Sequence, residues 1–149
     1  MSLSLTAEGQ RLVMGASFTP YDSVRDLVEA LSALLAGAGE VNVRWNCEPE
    51  EFDFKMVAAG DGVQFKVVRY PNHRRLRGSS RTVFSLGGSK LEICLPFWRA
   101  LRDLRRRIAE DEFDKNWRRP FPDSEMQQLT RLVRSEKREL KSRASGQTK

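Results

Sequence analysis

The chain has 149 residues, 40% of them hydrophobic and 31% charged, enough for one domain with a single core and too few residues for several. No apolar run approaches the roughly 18 to 20 residues of a membrane helix, because LVEALSALLAGAG is interrupted by Glu29 and ends in glycines. One histidine and two cysteines, Cys47 and Cys94, exclude a His-rich zinc centre, a two-histidine facial triad and a disulfide framework.

The opening MSLSLTAEGQR has no basic segment followed by a long apolar one, so no leader is predicted and the cytoplasm is the expected compartment. The net charge of +6 is unevenly spread. Residues 1–68 hold five Lys/Arg against ten Asp/Glu, a balance of −5, which leaves +11 for residues 69–149. Such a chain can present one acidic and one basic surface.

In chain order, Leu3–Leu5 and Leu12–Met14 are candidate short strands. TPYDS then offers Asp22 or Ser23 as a helix cap, and Val24, Leu27, Val28, Leu31 and Leu35 form one helical stripe closed by Gly37 and Gly39. The period then drops to two. Val41, Val43, Trp45 and Cys47 alternate with polar residues, Pro49 interrupts, and Phe52, Phe54 and Met56 resume the alternation. Asp61-Gly62 predicts a turn into a third strand through Val63, Phe65 and Val67. RTVFSL and KLEICL read as a further hairpin around Gly87-Gly88-Ser89, with Pro96 opening a helix whose buried stripe is Phe97, Leu101, Leu104 and Ile108, continued by Phe113 and Trp117. After RRPFPDS, Asp123 or Ser124 caps a last helix carrying Met126, Leu129, Leu132, Val133 and Leu140.

The expected fold is α+β: one antiparallel sheet of about five strands, an N-terminal helix, and two C-terminal helices packed mainly on one face. Residues 1–140 form the domain, and 141–149 are expected to be a disordered basic tail.

Catalytic, cofactor and metal sites are not predicted. GxxxxGK[ST] and GxGxxG are absent, and LGGSKLE is read as leading into a strand where a phosphate cradle must lead into a helix. Cys47 and Cys94 are expected as buried apolar positions on strands, and Ser79 and Ser80 as turn residues. Two charged clusters remain. Arg69, His73, Arg74, Arg75, Arg77 and Arg81, in and around YPNHRRLRGSSR, are candidate contacts for an anion or a partner, with Tyr70 as a stacking face. Glu48, Glu50, Glu51 and Asp53 form a candidate acidic partner edge, solvated on the polar side of the alternation.

The helix DSVRDLVEALSALLAG followed by VRWNCEPEEFDF, a Trp-bearing strand, a Glu-Pro bend and an aromatic-alternating strand, resembles a pattern in small bacterial α+β proteins similar to the immunity or accessory partners of toxins. The resemblance spans about residues 20–70 and carries no functional residue over to Trp45, Glu48 or Pro49. It implies a non-enzymatic protein that works by covering another protein's surface. The positive balance argues against an inhibitor of a nuclease, which would present acids to a basic site. The expected function is therefore a non-enzymatic protein-binding module, immunity-like or accessory, without cofactor or membrane. The alternative is a nucleic-acid-binding protein that uses the basic stretch 69–81 with the basic C-terminal helices.

Overall fold

The computed structural model describes residues 1–107, Phe113 and residues 117–147. An N-terminal hairpin, β1 (Ser2–Ala7) and β2 (Gln10–Gly15), precedes helix α1 (Ser23–Leu35). Four strands follow, β3 (Glu40–Cys47), β4 (Glu50–Ala59), β5 (Gly62–Tyr70) and β6 (Arg81–Gly88), then helices α2 (Lys90–Arg106) and α3 (Asp123–Gln147). The fold is α+β, as the patterning predicts. Where about five strands in one sheet are expected, the described residues hold six in two sheets: β1-β2, and an antiparallel meander in the order β3-β4-β5-β6.

The period-two stretches become the meander because each buries one face. Val43 and Trp45 of β3, Phe54 and Met56 of β4, Phe65 and Val67 of β5 and Phe84 of β6 are all buried. Against them lie the apolar stripe of α1 and, from α2, Phe97, whose ring stands 6.1 Å from Phe54 and 5.5 Å from Phe65. Helix α3 packs on both α1 and α2. Its Met126, Leu129 and Val133 are buried, whereas Leu140, expected on the same stripe, is exposed. The helix runs on to Gln147, into the segment expected to be a tail, and residues 141–146 are exposed.

Glycine is required where β5 begins. A Cβ on Gly62 would meet the carbonyl oxygen of Gly88 at 2.7 Å, backbone that cannot give way. The turn itself sits one residue earlier than Asp61-Gly62 suggests, at Gly60-Asp61, with Gly60 at φ +59°.

The stretch KLEICL corrects the expectation. It is the first six residues of α2, and Pro96 lies inside that helix, not at its start. Leu91, Ile93 and Leu95 do alternate, but Ser89 and Glu92 form a capping box: the Ser89 hydroxyl accepts from the Glu92 amide, and the Glu92 carboxylate accepts from the Ser89 amide. Two satisfied amides at the first turn outweigh a three-residue alternation. Cys94 thus sits on a helix, and Trp98, absent from the expected stripe, is buried beside it. Ile108 lies outside the described residues. LGGSKLE therefore does lead into a helix. What still separates it from a phosphate cradle is the missing glycine spacing and the Glu92 carboxylate already bonded at the helix start. Ser89→Ala should lower stability by about 1 kcal/mol and Ser89→Gly by only a few tenths, read from urea unfolding of the two variants side by side.

The hairpin β1-β2 and the segment that follows it reach both borders of the meander. The Gln10 side-chain amide donates to the Ser85 carbonyl of β6 (2.7 Å) and accepts from the Ser85 amide (2.9 Å), imitating one rung of a strand. At the other border Ser17 bridges to Asn46 of β3.

Candidate functional site

On the sheet face away from the helices, alternation places Glu51 and Asp53 side by side along β4. Across the ladder, β5 brings Tyr70 opposite Glu51 and Val68 opposite Asp53. The loop from Pro71 to Ser80 therefore leaves the sheet alongside both carboxylates, and it folds back over them. Arg75 donates from both terminal nitrogens to Asp53 (2.8 and 2.7 Å) and from Nε to Glu51 (2.7 Å). Its guanidinium carbon lies 4.2 Å above the Tyr70 ring, and the Tyr21 hydroxyl donates to the remaining Glu51 oxygen at 3.3 Å.

This corrects the expected solvation of the two acids. Glu51 and Asp53 are buried, 5% and 3% exposed, and the Arg75 side chain is only 17% exposed. The hydrogen bonds to Asp53 dominate and hold the Arg75 proton more firmly than in water, burial opposes them, and the bonds to Glu51 and the two carboxylate charges reinforce them. Arg69 likewise pairs with Glu50. Two of the predicted cations and three of the predicted acids thus pair with one another and leave a formal charge of −1. Glu48 remains exposed at the β3-β4 turn, where its side chain accepts from Asn46 at 3.4 Å.

The rest of the loop is shaped by local bonds. The Asn72 side chain accepts from the Arg74 amide (3.0 Å), the Asn72 carbonyl accepts from the Arg75 amide (3.3 Å), and the Leu76 carbonyl accepts from the Ser79 amide (3.0 Å). Arg75 takes φ +48° and Gly78 φ +81°, the left-handed values that reverse the chain twice. Ser79 is thus a turn residue, as predicted. With the loop fixed this way, His73, Arg74, Arg77 and Arg81 face solvent, and between Arg74 and Arg77 stands Leu76, 62% exposed. Leu76 was not among the predicted contacts. A single leucine inside an arginine run carries no periodic signal, so only the anchoring of Arg75 reveals it.

The second basic surface is helical. On α3, Gln127, Arg131, Arg134, Arg138 and Lys141 recur at i, i+4, i+7, i+11 and i+14, one exposed stripe with Asp123 at its N-terminal end. Glu125, Glu136 and Glu139 fall on the opposite flank, where Glu125 accepts from Arg25 at 2.6 Å. The cationic flank borders α2 across an open groove of about 700 Å³ lined by Arg105, Asp123, Gln127, Thr130, Arg131 and Arg134. Asp123 is bonded to Arg105. Trp98 of α2 is buried beside Thr130: its indole donates to the Thr130 hydroxyl (3.0 Å), with Arg102 and Lys137 above its ring at 4.6 and 5.2 Å. This groove belongs to the helical layer, whereas Arg75 lies across the opposite face of the sheet. The two basic regions are separate surfaces.

Neither cysteine is poised to react. Burial, reinforced by Glu50, raises the Cys47 thiol to about 11, and burial, reinforced by Glu136, raises that of Cys94 to about 12, so both are protonated at neutral pH. Among the described residues no group of three or more His, Cys, Asp or Glu is arranged to hold a metal ion, and no helix is long and apolar enough to cross a membrane. No protein-family model, curated protein or solved structure matches the chain.

Proposed function

We propose that this protein is a non-enzymatic protein-binding module that engages its partner through the tip of the β5-β6 loop, as an immunity-like or accessory factor would. The observation that carries this reading is Leu76, held out in solvent between Arg74 and Arg77 by the Arg75 anchor. Interface hot spots are enriched in arginine and not in leucine, so Arg74 and Arg77 would supply the polar contacts and Leu76 the apolar area buried between them. The ordering cost is largely met before binding, because the turns and the carboxylate anchor fix the loop in the free protein. The complementary partner surface is an apolar pocket rimmed by acids. In an extract of the native host at low salt, immobilised protein should retain a partner that Leu76→Asp loses and Arg131→Ala/Arg134→Ala keeps. A partner indifferent to Leu76→Asp, or none at all, would sink the reading.

The cationic stripe of α3 supports a second reading, contact with nucleic-acid phosphates. Its cations sit on the helical groove, and the aromatic groups nearest the two basic surfaces, Trp98 and Tyr70, are roofed by cations, which leaves backbone contact without base stacking. Titration of labelled RNA and duplex DNA at two salt concentrations discriminates: Arg131→Ala/Arg134→Ala/Arg138→Ala should reduce the log-log salt slope by about 2 to 3. Absence of binding at low salt removes this reading.

A further inference from the structure

Strand β1 pairs with β2 alone and keeps its other edge open. The register fixes which main-chain groups lie there. Met1 and Ala16 exchange both of their main-chain bonds, at 3.1 and 2.7 Å, and the pairing runs on without a slip to Ala7 opposite Gln10. In an antiparallel pair such residues alternate with ones that turn both groups away. Leu3, Leu5 and Ala7 therefore bond β2, whereas Ser2, Ser4 and Thr6 direct six main-chain groups outward. Among the described residues nothing bonds to those six, and all three residues are exposed. Open edges are ordinarily guarded by a lysine, a proline or a bulge, and SLSLTA has none of them. The hairpin's other edge is guarded: β2 carries Arg11 and runs into the Ser17 bridge to β3. Next to the first half of β1 is a space of about 240 Å³, lined by Ser2, Leu3 and Ser4 and, from α2, by Phe97, Leu104 and Arg107.

We infer that this edge docks an extended segment of a partner protein, which adds to β1 as an antiparallel strand, seats one apolar side chain beside Leu3 in that space and carries acids at its ends. Main-chain groups repeating every second residue are matched by another extended backbone. The partner residue opposite Leu3 puts its side chain on the same face as Leu3, toward Phe97 and Leu104. Charge favours a foreign segment over a second copy. Arg107 lies near the Ser2 end and Arg11 opposite Thr6, and no acid stands on either strand or lines the space. Two β1 strands paired about Ser4 would bring the Arg107 end of each copy to the Arg11 end of the other, like charge on like. Six residues of edge also fall well short of the roughly 20 to 30 residues a side of a stable interface. The edge uses no residue of the Leu76 loop, so the inference does not rest on the proposed function.

The probe is the peptide acetyl-Glu-Thr-Leu-Thr-Leu-Thr-Glu-amide, added to the 15N-labelled full chain. The Ser4 and Thr6 amide signals should move downfield, and those of Leu3 and Leu5, already bonded to β2, should move less. Methylating the peptide's three threonine nitrogens, which face β1, should weaken binding about tenfold or more, the worth of a few main-chain hydrogen bonds. Methylating its two leucine nitrogens, which face away, should change binding by less than about threefold. Ser4→Pro removes an outward donor at an edge position that tolerates proline. It should abolish the shifts without lowering the melting temperature appreciably, and the methylated pair, tested on the parent chain, decides the matter even where that variant fails to fold. No movement at millimolar peptide, equal binding of the two methylated peptides, binding unchanged in a folded Ser4→Pro, or shifts confined to the α3 stripe overturns the inference. So does a dimer of the peptide-free chain in sedimentation that Ser4→Pro dissolves, which would give the edge to a second copy.

Discussion

Arg75→Met is expected to lower the free energy of unfolding by about 3 kcal/mol, at the lower end of the cost of stripping one partner from a buried charge cluster. The reason is the asymmetry between forming and breaking such a cluster. With Arg75 present, three guanidinium hydrogen bonds satisfy Glu51 and Asp53 on a face where both are buried. Without it, two carboxylates remain inside with only the Tyr21 hydroxyl bonded to them. Arg75→Lys should recover only part of the loss, because an ammonium cannot reproduce the forked contact with Asp53. Arg74→Met and Arg77→Met, on the same loop but exposed, should fall within about 0.5 kcal/mol of the parent. Urea unfolding of the four variants checks this, and an Arg75→Met midpoint no lower than that of Arg74→Met would refute the anchor. The same variant should also weaken partner retention, since an unmoored loop no longer presents Leu76 in one place.

Phe54→Ala should be costlier still, about 4 kcal/mol, which for a chain of this size lowers the melting temperature by roughly 10 °C. Phe54 is fully buried at the centre of β4, with ring neighbours on three sides: Trp45 at 5.3 Å, Phe65 at 5.5 Å and Phe97 at 6.1 Å. Truncation removes the transfer free energy of the ring and leaves a hole that an antiparallel sheet interior cannot close. Phe54→Leu should retain more than half of the lost stability by filling most of the volume.

Periodicity made the meander and α1 readable in advance, since Val41 to Cys47 and Val24 to Leu35 each bury one face against one neighbour. KLEICL differs from its strand pattern for a definite reason. Three alternating apolar residues also fit a helix that is buried on several sides, and the deciding signal is Ser89 with Glu92 three residues later. The candidate cluster differs for another reason. Glu51 and Asp53 occupy the polar phase of an alternation, and period alone cannot tell a wet carboxylate from one covered by a distant arginine. The register could have suggested it: β5 ends at Tyr70 beside Glu51, so the arginine loop must start next to the acids. The exposure of Leu76 depends on three-dimensional closure and leaves no trace in spacing.

The contacts that the N-terminal hairpin and the segment after it make with the meander bear on how a partner can be recruited. A four-stranded meander ordinarily offers two rims of unpaired main-chain groups, and many small domains capture peptides by letting them add a strand there. Here the Gln10 amide occupies the outward groups of Ser85 on β6, and Ser17 occupies those of Asn46 on β3. Strand addition is blocked midway along one rim and at the end of the other. The same two plugs obstruct edge-to-edge pairing of the sheet with a copy of itself, so the loop surface proposed above would have to act through side chains.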